Sequence, residues 1–185
     1  EDIALVFQEP MTAFSPVHTI GNQLSEAIVL HTDIPYKEAG ERSRELLDMV
    51  GIPNPEQRLK EYAYQLSGGL RQRAMIAMAL ACDPKLLIAD EPTSALDVIS
   101  RQAVLEIIDD LVKTQNMGLL FISHDLGLVE IFCDRILVIK DGELIETVSA
   151  RALKKSSHPY TRELLDSRPS LIAGTSPTPV ASAGK

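Results

Sequence analysis

The sequence predicts an α/β fold with an all-helical insertion, and three features of its pattern carry this prediction. Short apolar segments at residues 3–7, 86–89 and 118–122 have the length and composition of buried strands. Segments with apolar residues at helical spacing separate the later strands. The stretch between Gln8 and the Gly68-Gly69 pair shows only helical patterning and turn residues, which indicates a helical subdomain inserted after the first strand.

The elements of the first half are bounded by proline, glycine and aspartate. A loop that contains Pro10 and Pro16 follows the first strand. Helices are predicted over residues 21–30, 37–50 and 70–81. Gly51 ends the second of these helices, and Asp83-Pro84 ends the third because the residue before a proline disfavours the helical conformation.

The second half alternates strand and helix. Residues 99–114 are predicted to form a helix with Val104, Ile108 and Leu111 on its core face, and a shorter helix is predicted over residues 126–132. Asp141-Gly142 between two apolar runs, 135–139 and 143–147, is a strong hairpin signal. Two short helices are predicted at residues 150–155 and 160–165.

Composition restricts the class of protein. The chain has 185 residues, of which 45% are apolar and 24% charged, which is typical of a globular domain with a hydrophobic core. Its net charge of -8 repels phosphate backbones and argues against binding to nucleic acid. No apolar run reaches the roughly 18 residues of a membrane-spanning helix. Two cysteines are too few for a disulfide framework.

Two adjacent acids, Asp90 and Glu91, directly follow the strand predicted at residues 86–89. Open α/β sheets bind ligands at the carboxyl ends of their strands, and Mg²⁺ prefers oxygen ligands together with substrate phosphates. The pattern therefore favours one acid at a metal and its neighbour facing a nucleophilic water. The alternative is that both acids only cap a solvated loop.

Two further signals point to an anionic ligand. Ser67-Gly68-Gly69 precedes a predicted helix, where backbone N–H groups and the helix N-terminus can approach an anion closely. His124 follows the strand at residues 118–122 and is expected at the same sheet edge as Asp90. Each has a simpler interpretation, as an ordinary loop and as a structural histidine.

In order and spacing, these segments resemble the nucleotide-binding subunit of an ABC transporter, up to about residue 165. Gln8 is similar to the Q-loop glutamine, Leu66–Gly69 to the signature, Leu86–Glu91 to the Walker B strand, Ser94–Asp97 to the D-loop and His124 to the switch histidine. The finer resemblance is to the peptide and nickel importer branch, through residues 7–12, Pro16, Thr19-Ile20-Gly21 and His158-Pro159-Tyr160-Thr161. Leu70 stands where many members have glutamine, and no cysteine follows Cys133.

The resemblance implies a P-loop NTPase-type (RecA-like) sheet flanked by helices, with the helical ABC subdomain inserted. It divides the chain into a partial ATPase core (1–7 and 84–148), a Q-loop, helical subdomain and signature helix (8–83), a C-terminal helical extension (149–166) and a flexible tail (167–185). The phosphate-binding pattern GxxxxGK[ST] has no match in the sequence. We therefore expect the N-terminal strands and the Walker A loop to lie upstream of Glu1, and the chain to be a C-terminal fragment.

The resemblance also implies roles. Asp90 and Gln8 would contact Mg²⁺, Glu91 would be the general base, and His124 and Gln8 would act beside the γ-phosphate of ATP. Ser67, Gly68, Gly69 and Asp97 would contact the nucleotide site or interface of a second ABC ATPase subunit, identical or paralogous. Transmembrane permease subunits, and indirectly an external substrate-binding protein, would complete an importer on the cytoplasmic face of the membrane.

The loop over residues 9–15 exposes Met11, Ala13 and Phe14 as candidates for contact with a permease helix. The alternative is that these side chains pack beneath the helical insertion, and for Phe14 both interpretations stay open. Two other functions also stay open for the whole chain: a soluble ABC-class ATPase without a permease, and a non-hydrolysing regulatory fragment.

Overall fold

The computed structural model describes residues 2–167, which form two compact units. The first unit ends at Phe132 and the second begins at Cys133. No helix in the described residues is long and apolar enough to cross a lipid bilayer. Of the tail predicted over residues 167–185, residues 168–185 lie outside the described part of the chain.

A three-stranded parallel sheet is the centre of the first unit. Its strands are β1 (Ile3–Val6), β2 (Leu86–Asp90) and β3 (Gly118–Ile122), in the order β1-β2-β3. Val6 is paired with Ala89, and Ala89 with Phe121, so the three carboxyl ends lie at one edge. The strands predicted from apolar runs are confirmed, except that β1 ends at Val6 rather than at the predicted Phe7.

Seven α-helices belong to this unit. They are α1 (Pro10–Ala13), α2 (Ile20–His31), α3 (Tyr36–Met49), α4 (Pro55–Arg58), α5 (Gly68–Leu80), α6 (Val98–Thr114) and α7 (Leu126–Phe132), with a 3-10 turn at Ala63–Gln65. All five predicted helices are present within two residues of their predicted ends. Side chains at the N-caps of three longer helices satisfy backbone N–H groups: Thr19 on α2, Ser67 on α5 and Asp97 on α6. The N-cap of α3 is Pro35, which makes no such bond.

One face of the sheet is covered and the other is open. Val6 and Leu87 belong to the same buried cluster as Ile76 of α5 and Ile108 of α6. The strand neighbours of Val6 and Phe121 point to the opposite face, where Ile3, Leu5, Leu120 and Ile122 are exposed. Since parallel sheets usually bury both faces, this open apolar face is a distinctive feature of the chain.

The start of α2 is held against the segment that leads to α5. The N–H groups of Ile20 and Gly21 donate to the carbonyls of Glu61 and Leu59 at 2.8 and 2.9 Å. A Cβ atom on Gly21 would lie 2.7 Å from the Leu59 carbonyl oxygen. The close approach of these two backbones therefore requires glycine at this position.

The second unit is a hairpin with two short helical segments. Strands β4 (Arg135–Lys140) and β5 (Glu143–Ser149) are antiparallel, and Asp141 and Gly142 both have positive φ, as a type I′ turn needs. The predicted hairpin is confirmed. Residues Ala150–Lys155 are 3-10 rather than α-helical, and α8 spans Pro159–Asp166.

Glu146 of β5 joins the hairpin of the second unit to α8. Its carboxylate accepts hydrogen bonds from the hydroxyls of Thr161 and of Ser156, the latter at 2.8 Å. These donors, the Thr161 hydroxyl first, lower the pKa of Glu146 below its ordinary value.

Candidate functional site

Polar side chains follow all three strands of the first unit where the strands end. Gln8 lies two residues after β1, Glu91 directly after β2, and His124 two residues after β3. The parallel register brings these three positions to one edge of the sheet. This edge is where α/β sheets bind their ligands.

The carboxylate of Glu91 is the meeting point of this group. Gln8 Nε2 donates to Glu91 Oε2 at 3.1 Å. His124 Nδ1 lies 2.8 Å from Glu91 Oε1, and in the tautomer with a proton on Nδ1 it donates a hydrogen bond to that oxygen. The Glu91 side chain is 24% exposed, whereas that of His124 is 76% exposed. The three residues predicted to act in catalysis therefore form one connected cluster that is open to solvent.

The backbone of Glu91 is also unusual. Its φ of 43° lies in the left-handed region, which is uncommon for a residue with a side chain. Its N–H donates to the Ile122 carbonyl at 2.9 Å, and its own carbonyl accepts from the N–H and hydroxyl of Ser94. These bonds on both sides hold a conformation that costs free energy, a situation typical of functional sites.

A small cavity of about 60 Å³ opens beside the cluster. It is lined by Glu91, Thr93, Ser94, Arg101, Ser123, His124, Asp125 and Leu128. The sequence analysis did not select Arg101, whose buried Nε atom has no hydrogen-bond partner in the described part of the chain. The sequence did hold one signal for Arg101: it lies one helical turn after the predicted site residue Asp97, on α6.

Asp90 is the last residue of β2 and is paired in register with Ile122 of β3. Among residues 2–167 there is no cluster of three or more side chains that could enclose a metal ion. Mg²⁺ usually keeps several waters and substrate phosphates, and is bound by one or two carboxylates. A single strand-terminal carboxylate therefore fits a magnesium ion that arrives with a nucleotide.

The remaining predicted site residues form a second group at the starts of α5 and α6. Ser67 caps α5 by accepting from the Leu70 N–H at 3.3 Å, and Gly68 and Gly69 are the first residues of that helix. A Cβ atom on Gly69 would lie 3.0 Å from the Ser100 hydroxyl of α6. The two helix starts are therefore in close contact, with Gly68 exposed and Gly69 partly buried.

Asp97 caps α6 in this second group. Its Oδ1 accepts from the backbone N–H groups of Ile99 and Ser100 at 3.1 and 3.0 Å. Hydrogen bonds from the Ser100 backbone, then from its side chain, lower the pKa of Asp97. The helix N-terminus is thereby satisfied by a carboxylate of its own chain.

In the loop over residues 9–15, the structure separates the apolar side chains. Phe14 is 5% exposed and belongs to the core of the first unit, whereas Met11 is 43% exposed. Ala13 is partly buried against that core. Of the two interpretations left open for Phe14, the structure supports core packing.

Comparisons with known proteins show which family the chain resembles. The sequence profile described as "ABC transporter" matches residues 1–94. The chain is 49% identical over 168 residues to the "Probable peptide ABC transporter ATP-binding protein y4tR" of Sinorhizobium fredii, covering 90% of this chain and 50% of that protein. It is 47% identical over 188 residues to the "Oligopeptide transport ATP-binding protein AppD" of Bacillus subtilis, covering 96% and 57%.

Among solved structures, the chain is similar to the ATP-binding cassette MJ0796, in a dimeric post-hydrolysis state bound to ADP and Pi. The TM-score is 0.70 at 27% identity, over 82% of this chain and 64% of that one. The chain thus spans about half the length of the curated relatives it matches first. On the profile match and the fold, the chain belongs to the ABC transporter family.

Proposed function

We propose that this chain is part of the ATP-hydrolysing subunit that energises a peptide importer. One observation carries the proposal: the Glu91 carboxylate lies between Gln8 and His124 at the carboxyl edge of a parallel sheet. The names of the two relatives above, which are peptide and oligopeptide transport proteins, support the substrate class.

The chemistry follows from the positions of the side chains. Glu91 would accept the proton of the attacking water, and His124 would hold that carboxylate and contact the terminal phosphate. Asp90 would hold Mg²⁺ through its waters, and Gln8 would contact the metal or the water. When bound with ATP, Mg²⁺ supplies charge neutralisation on the phosphates. Catalysis is then mainly positioning and electrostatic stabilisation.

The second group would act on the nucleotide of a second ATPase subunit. The N-terminus of α5, with Ser67, the exposed Gly68 and the partly buried Gly69, is suited to a phosphate. Asp97, at the adjoining start of α6, would lie at the subunit interface. The dimeric state of the similar cassette MJ0796 supports this arrangement.

We further propose that residues 9–17 form a docking loop for a helix of a transmembrane permease subunit, so that the subunit lies peripherally on the cytoplasmic face of the membrane. The loop begins one residue after Gln8, which contacts the catalytic carboxylate. It exposes Met11, and Val17 is 73% exposed. Apolar side chains in such a surface suit the helix-in-groove mode of recognition.

The experiment is reconstitution of the complete subunit with its permease subunits in liposomes, with ATP hydrolysis and accumulation of a labelled short peptide both measured. We expect hydrolysis and ATP-dependent accumulation together. Full hydrolysis by a subunit that never co-purifies with a membrane protein would instead indicate a soluble ABC-class ATPase. Absence of hydrolysis in the complete subunit, phosphate loop included, would indicate a regulatory role.

A further inference from the structure

Residues 14–19, which connect α1 to α2 and include the end of the docking loop, form neither helix nor strand. One side chain nevertheless satisfies much of their backbone. Gln23, in the first turn of α2, accepts a hydrogen bond at Oε1 from the Ser15 N–H at 2.7 Å. Its Nε2 donates to the carbonyls of Ser15, His18 and Thr19, at 3.2, 2.9 and 3.4 Å. The carboxamide of Gln23 therefore spans residues 15–19.

This pattern uses both ends of the amide group. A glutamine side chain has one carbonyl acceptor and two N–H donors, and here both the N–H and the carbonyl of Ser15 pair with it. Glutamate keeps the acceptor but loses the donors, and methionine of similar length loses both. Of these three side chains, only the glutamine amide can pair with both the N–H and the carbonyl of Ser15.

Gln23 is not part of the hydrophobic core. The buried side chains of α2 include Ile20, Leu24 and Ile28, whereas Gln23 is half-buried at the edge of the helix. Phe14, in the same docking loop, is anchored in the core, and Val17 faces solvent. Gln23 thus holds residues 15–19 by hydrogen bonds, whereas Phe14 is held by packing in the core.

We propose that Gln23 is a positioning residue for the docking loop: it holds residues 15–19, so that Val17 presents its exposed side chain, as Met11 does, to the partner helix. The identity of that partner, a permease helix, rests on the proposed function. The contact of Gln23 with the loop does not rest on the proposed function, because it follows from the hydrogen bonds of this chain alone.

The first test is amide exchange of the chain, followed by NMR, in Gln23→Met and Gln23→Glu. We expect the Ser15 N–H to exchange faster in Gln23→Met by on the order of tenfold, since its acceptor is gone. In Gln23→Glu the Ser15 N–H keeps its acceptor, but the three carbonyls then face a carboxylate and the loop around His18 loosens. Unchanged Ser15 exchange in Gln23→Met would overturn the inference.

The second test measures binding of the complete subunit to its permease, with Gln102→Glu as the matched control. Gln102 is exposed on α6, and its side-chain amide donates to Glu106, so the same chemical change is made away from the loop. We expect both Gln23 variants to bind the permease about tenfold more weakly than wild type, and Gln102→Glu to bind as wild type does.

The two measurements separate two failures. Wild-type affinity in both Gln23 variants would overturn the positioning role, even if the Ser15 exchange is faster. A wild-type subunit that binds no permease would contradict the proposed function, while the exchange result alone would still decide whether Gln23 holds the loop. A melting temperature measured for each variant shows whether α2 itself has unfolded, which the half-buried position of Gln23 argues against.

Discussion

At the scale of single residues, Glu91 is the side chain on which the proposed chemistry depends. It accepts from Gln8 and His124, and its backbone is held in a strained conformation. For Glu91→Gln in the complete subunit we expect ATP binding to persist while turnover falls roughly 10²–10⁴-fold, because an amide cannot accept the proton. Steady-state hydrolysis and nucleotide binding are measured on the same sample. Glu106→Gln, an exposed acid on α6, is the control, and near-normal turnover of Glu91→Gln would remove Glu91 from the catalytic role.

Met11 and Phe14 provide a second prediction, since they lie three residues apart in the same loop but differ in burial. Phe14→Glu places a carboxylate in the core, which costs on the order of several kcal/mol, so we expect a large fall in melting temperature. Met11→Glu changes an exposed side chain, so we expect a melting temperature near wild type but loss of co-purification with the permease. A Met11→Glu variant that remains fully bound would show that Met11 lies outside the docking surface.

Gln8 was selected only through the resemblance to the ABC family. The sequence itself was enough to place Glu91 and His124 at one sheet edge, because the carboxyl ends of neighbouring parallel strands meet. It was not enough to reveal the left-handed backbone of Glu91 or the position of Arg101 in the cavity. Both depend on what the rest of the fold places around them: the Ile122 carbonyl and Ser94 in one case, and the orientation of α6 in the other. Local sequence carries no record of the Glu91 backbone conformation, and the spacing of Arg101 from Asp97 does not reveal the cavity.

At the scale of elements, the longer helices and the apolar strands were predicted within two residues, while the two four-residue helices were missed. Helices α1 and α4 both begin with proline and have four residues each, too few to show a period. The segment Ala150–Lys155 was predicted as a helix, and its sequence cannot distinguish i→i+3 from i→i+4 bonding over so short a length. These are the elements whose conformation depends most on their neighbours.

Two glycines provide a test at this scale with opposite expected signs. Gly21→Ala places a methyl group 2.7 Å from the Leu59 carbonyl, so we expect destabilisation of roughly 1–3 kcal/mol. Gly40 lies exposed within α3 with open space around its Cβ position, so Gly40→Ala should stabilise by about 0.5–1 kcal/mol. Denaturant unfolding of both variants measures the free energies. Equal effects would show that α2 does not rest on the Leu59 backbone as described.

The hydrogen bonds of Glu146 lead us to expect that the second unit loses stability in acid. Hydrogen bonds from Thr161 and Ser156 lower its pKa in the folded state below the unfolded value near 4.5. Its contribution is therefore fully present above that value and is lost as the pH falls through the lowered folded pKa. We expect Glu146→Gln to lower the melting temperature at neutral pH, with the difference from wild type shrinking below pH 4.5. Glu143→Gln, an exposed position on the same strand, should show no such trend.

At the scale of the whole chain, the sequence contains the residues proposed to act on the terminal phosphate but no GxxxxGK[ST] loop. That loop's backbone donors and lysine supply most contacts to the β- and γ-phosphates. We therefore expect this chain of 185 residues alone to show no micromolar binding of Mg-ATP by calorimetric titration and no hydrolysis. The complete subunit, titrated identically, is the positive control. Micromolar binding by the chain itself would contradict the prediction.

The register of the three parallel strands also limits how this sequence can change in length. Adjacent strands are about 4.8 Å apart, and each residue along a strand advances about 3.3 Å and reverses the side chain. Deleting one residue from β2 would move Glu91 along the edge and turn it to the opposite face, breaking its bonds to Gln8 and His124 together. Insertions and deletions are therefore expected to accumulate in connections such as residues 32–35. Between each strand and the polar residue that follows it, only substitutions can be tolerated.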